Sequence, residues 1–222
     1  MTYYPDFFDA APVITLHDPL AQFLGAVDGG IMEYRYLDAV RLTGHSCPTV
    51  ARAFLMTRAA LSALYADKLP VRGEIQVGFR DGLPDGTTGV VANVVGLITG
   101  AAGPSGFKGL GSRFHRSGLL RFDTHIDEEI RFLRTDNSTA VTVTANLGRV
   151  PASARTRELL RLCLTGNASQ EQQTDFRNLW QARVRTLLLE CADDPAVIGV
   201  SRIATAPTLD FHQGCTVAVG AS

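Results

Sequence analysis

The residues best suited to chemistry in this chain form a short run, Gly44-His45-Ser46-Cys47-Pro48. Cys47 before Pro48 reads as a helix N-cap followed by proline in the first turn. Unpaired N–H groups and the helix dipole favour an anion at such a point, and a thiolate is one. Gly44 lets the backbone turn sharply just before the pair. His-x-Cys at a junction of this kind presents a nitrogen and a sulfur to one point. That donor set suits zinc, or iron or nickel. It also suits a Cys/His nucleophilic pair without metal.

The elements that must hold these residues follow from the pattern around them. Asp18-Pro19 predicts a short helix start, with Leu20, Phe23, Leu24 and Val27 on one face. Residues 31–37 alternate weakly, as a strand would. A long helix is expected after Pro48, with Val50, Ala53, Phe54, Leu61, Leu64 and Tyr65 on one side. Residues 71–79 alternate as a half-buried strand. The apolar run 90–98 is expected as a central strand. Residues 100–111 are glycine-rich and irregular. Further strands are expected at 118–123, 128–134 and 139–146. Two helices are expected at 153–165 and 169–192, then strands at 196–204 and 213–219. The fold class expected is α+β: a mixed β-sheet core flanked by helices over residues 1–150. A helical C-terminal extension, residues 151–222, is expected to pack on that core.

The first block, Gly44 to Pro48, with a long helix after it, resembles the His-x-Cys-Pro signature of the FmdE-like family, named after formylmethanofuran dehydrogenase. A second block supports it: Asn93 to Gly100 and Gly106-Phe107-Lys108-Gly109-Leu110 look like that family's Thr-Gly-Cys strand and Gly-Lys-Gly loop. The resemblance spans roughly residues 16–135. It implies a mixed-sheet core and a cleft that holds a metal at the His-x-Cys motif. Three departures stand out. Ala101 occupies the position of the family's cysteine, and Asn93 that of its aspartate. No cysteine-rich zinc finger follows.

The missing cysteine means a metal site here needs another ligand, and His17, beside the Asp18 cap, is the best recruit. His17, His45 and Cys47 would leave one open position, the pattern of a catalytic metal site. Glu74, which resembles an acidic position of the family, is expected as a fourth ligand or as a base on bound water. Lys108 is expected to offer a cation to the substrate. Arg113 to Arg116 read as a basic lining for an anionic one, with His115 a weaker ligand candidate. The glycine loop around Lys108 lacks the Gly-Lys-Ser/Thr ending of a phosphate loop.

Composition bounds these expectations. The chain has 222 residues, 45% hydrophobic and 19% charged, enough for a sizeable core. With 21 Lys+Arg against 22 Asp+Glu, its net charge of -1 argues against a nucleic-acid binder or a polybasic membrane surface. Four scattered cysteines form no Cys-x-x-Cys pair, and Cys163, Cys191 and Cys215 read as packing residues. His125 and His212 read as surface residues. No run reaches ~18 apolar residues. The N-terminal residues do not resemble a signal peptide, so a cytoplasmic protein is expected. The function expected is a metal-dependent enzyme, with zinc the first choice, acting on a small polar or anionic substrate. A metal carrier or maturation factor and a Cys47/His45 thiol enzyme remain open. A homodimer is expected as well, since the family's cores associate.

Overall fold

The computed structural model describes residues 3–203. The fold is α+β, with helices flanking a five-stranded mixed sheet of order β4-β3-β5-β6-β7. Its strands are β3 (Ile75–Phe79), β4 (Leu120–Arg121), β5 (Ile130–Arg134), β6 (Ala140–Ala145) and β7 (Ile198–Ile203). Among the described residues of this sheet, only the β3–β4 pair is parallel. A separate antiparallel ribbon joins β1 (Ile14–His17) to β2 (Ile31–Tyr34). Two short helices, α1 (Pro19–Phe23) and α2 (Tyr36–Thr43), flank β2 in sequence.

Local chemistry explains where the helices begin. Asp18 caps α1, its carboxylate accepting the N–H groups of Leu20 and Ala21. Cys47 caps the long helix α3 (Pro48–Tyr65), its Sγ accepting the Val50 N–H at 3.4 Å. Gly44 closes α2 in the left-handed region, with φ of 75°, which glycine adopts without strain. Helix α3 is buried around most of its circumference, with Val50, Phe54, Leu55 and Leu61 fully buried, and it packs against α4, β6 and β7.

Two elements differ from expectation. Residues 90–98 are not a central strand: they belong to α4 (Thr88–Thr99). Its buried residues, Val91, Ala92, Val94, Val95, Ile98 and Thr99, recur at the spacing of a helix face. The helix is apolar over much of its surface because it packs against both α2 and α3. The strand expected over 31–37 stops at Tyr34, and α2 begins at Tyr36, with Tyr36, Ala39 and Val40 buried on one face.

The last third supplies α5 (Ala154–Leu164), α6 (Gln170–Arg185), a π-helical turn at Thr186–Glu190 and strand β7. It is not a detached appendage. β7 pairs with β6 along six residues, and Val184, Leu187, Leu188 and Ile198 join the same core as α3. Cys191 packs against that core and Cys163 is half-buried on α5. His125 is exposed. The strand expected at 213–219, His212 and Cys215 lie outside the described residues. No helix among the described residues is long and apolar enough to cross a membrane.

Candidate functional site

The His45-Ser46-Cys47 loop is clamped at its middle residue. Ser46 donates its hydroxyl to Gln181 Oε1 at 2.9 Å. Its single proton being used there, the Tyr36 hydroxyl is the donor to Ser46 Oγ at 3.0 Å. Burial pushes the Tyr36 hydroxyl well above its ordinary value, keeping it protonated for that bond. The Ser46 carbonyl takes two more donors, Trp180 Nε1 at 3.0 Å and Gln181 Nε2 at 3.3 Å. Three of these four bonds come from α6, so the C-terminal third fixes the motif.

The two flanking residues are held in different ways. His45 is exposed, and its Nδ1 lies 2.9 Å from the Thr43 carbonyl. A carbonyl only accepts, so Nδ1 carries a proton, and in the neutral ring Nε2 is the nitrogen with the lone pair. A carbonyl partner on the far nitrogen is how proteins orient a ligating imidazole. Cys47 is 9% exposed, with its sulfur at the start of an 18-residue helix. The donor chemistry of this pair fits a borderline metal.

The other expected site residues lie elsewhere. Arg52, in the second turn of α3, donates to Thr87, the N-cap of α4, so α3 and α4 begin side by side. His45 and Cys47 belong to that end. At the other end of α4, Arg72 donates to the Leu97 and Ile98 carbonyls and Gly73 to the Thr99 carbonyl. His17 belongs there: its backbone binds Pro70 and Arg72, and its Nε2 bonds Gln22 Oε1 at 2.8 Å. Glu74 is exposed at the same end. The 12 residues of α4 separate the two groups by roughly 18 Å. Among the described residues, no three His, Cys, Asp or Glu side chains come together to hold a metal. His45 and Cys47 thus stand at the N-terminal end of α3, and His17 and Glu74 at the far end of α4. Lys108 is exposed on the irregular loop, within which Gly103 and Gly106 form a turn.

Sequence patterning gives no hint of what holds the far end together. Asp18, only 3% exposed, binds Arg72 at 2.9 Å and Arg116 at 2.7 Å while still capping α1. Burial alone would raise its carboxyl; the Ala21 N–H and the two guanidinium groups outweigh that and hold it below the usual carboxylate value. Arg72 also lies over the Tyr34 ring, 5.6 Å from its centroid. Asp18 is legible as a cap, but its partners stand 54 and 98 residues away, beyond any local pattern.

No protein-family model matches the chain, and neither does any curated protein.

Proposed function

We propose that the chain is a metal-binding protein of the FmdE-like type. In this reading His45 Nε2 and Cys47 Sγ are the chain's two donors to one divalent transition metal, with zinc the first choice. The remaining positions are open to water, to a small polar or anionic substrate, or to a further donor. One observation carries the reading: four hydrogen bonds fix Ser46, the residue between the two donors. Such investment in a short loop suits a site whose two side chains must keep a set geometry. A metal there would act as a Lewis acid on a bound substrate. The far-end position of Glu74 leaves the base of such a reaction to a group other than this carboxylate.

Metal analysis of the purified chain tests the proposal, repeated on Cys47→Ser and His45→Ala. The expected result is about one transition metal per chain, lost in both variants. Exposure of His45 also suits a carrier that passes its metal on. Slow loss of metal to a chelator supports the enzyme, and rapid loss supports the carrier.

A further inference from the structure

We infer that the cleft at the C-terminal end of α4 is a binding site for a small oxyanion, the carboxylate or phosphate group of a ligand held on Arg116. The cleft measures about 80 Å³ and is lined by Pro19, Arg72, Gly73, Glu74, His115 and Arg116, with Phe114 beside them. This site is separate from the His45–Cys47 pair and does not rest on the metal reading.

Charge and hydrogen bonding support it. Two guanidinium groups share one buried carboxylate, Asp18, so the network carries one positive charge in excess. Each of the three Arg72 guanidinium nitrogens has a partner, in Asp18 or the carbonyls of Leu97 and Ile98. Arg116 is different: it is 6% exposed, yet among the described residues only its Nη2 has a hydrogen-bond partner. Its Nε and Nη1 keep their donors, and the second Nη2 hydrogen completes a fork with one of them, the planar geometry that matches an oxyanion. Burial and the neighbouring Arg72 charge pull this guanidinium below its ordinary value, against the opposing pull of Asp18.

The backbone also makes room for that guanidinium. A Cβ at Gly73 or at Gly100 would run into the Arg116 side chain, and both glycines stand at positive φ. His115 is exposed at the cleft and adds a ring N–H donor. Glu74 is the one carboxylate among the lining residues. It limits the positive potential and selects against highly charged anions.

Calorimetric titration of the full chain in chloride-free buffer, with sodium acetate in one arm and inorganic phosphate in the other, tests this. The expected result is saturable binding of one ion per chain in at least one arm, and the arm that binds tells carboxylate from phosphate. Arg116→Lys should weaken it by about tenfold or more, because a point charge replaces a fork. Glu74→Gln, an exposed change that leaves folding intact, should tighten it about threefold or more by removing a like charge. Absence of binding in both arms up to ~10 mM overturns the inference. So does binding that Glu74→Gln leaves unchanged or weakens, which stays readable even if Arg116→Lys fails to fold.

Discussion

Trp180 donates its indole N–H to the carbonyl of Ser46 at 3.0 Å, linking a helix of the last third to the loop between His45 and Cys47. Trp180→Phe keeps most of the ring packing and removes the donor. It should lower stability by about 1 kcal/mol, the usual net worth of one hydrogen bond. The more telling expectation is kinetic. Cys47, now 9% exposed, should react faster with iodoacetamide in the variant, because the loop that shelters it has lost a bond. Equal alkylation rates would show that α6 does not control the motif.

Cys47 has two roles that a pair of substitutions separates. As an N-cap, its sulfur accepts the Val50 N–H. Cys47→Ala removes the cap and should cost about 1 kcal/mol. Cys47→Ser supplies a better cap and should melt at or above the metal-free parent, compared in chelator, while losing the sulfur donor. Thermal unfolding of the two variants reads the structural role, and metal content reads the chemical one.

Much of the site's local framework is legible in the sequence, and much of its long-range assembly is not. Asp18-Pro19 and Cys47-Pro48 are readable as helix starts because capping is decided within three or four residues. Strands β3, β5 and β6 are readable from apolar runs between turn residues. Helix α4 is not, because Val91, Val94, Val95 and Ile98 are β-branched residues in a nearly continuous apolar run. Such a run looks like a central strand until the helices that surround it are known. The Asp18–Arg72–Arg116 network unites residues from three distant segments, and no periodicity encodes that. By pattern alone the last third reads as an extension. Its strand β7 and its hydrogen bonds to Ser46 make it part of both the sheet and the candidate site.

Asp18 should govern acid stability. Its folded-state carboxyl lies below the ordinary value, so its ionised form stabilises the fold above the unfolded value of about 3.9. That contribution is lost as the pH falls from there towards the folded value. Urea unfolding across this range should show a drop that Asp18→Asn flattens. Asp18→Ala leaves the buried Arg116 and the half-buried Arg72 without their counter-ion and should cost about 3–5 kcal/mol at neutral pH. An unchanged pH profile in Asp18→Asn would contradict the role given to this carboxylate.

Gly100 should resist substitution. It ends α4 at φ of 73°, and a Cβ there meets the Arg116 guanidinium. Gly100→Ala should lose about 1–3 kcal/mol from strain and displacement of the ion pair. Gly44→Ala has the same positive φ but no atom within reach of the new Cβ, so it should lose less. Equal melting temperatures for the two would show that Arg116 does not occupy the space assigned to it.

His45 and Cys47 acting together as metal donors are the centre of the proposed function. The most direct measurement is the transition-metal content of the purified chain beside Cys47→Ser and His45→Ala, each confirmed folded by circular dichroism. The expected result is about one metal per parent chain and next to none in either variant. Full occupancy surviving both substitutions, or a folded parent chain that takes up no zinc on titration, would contradict it.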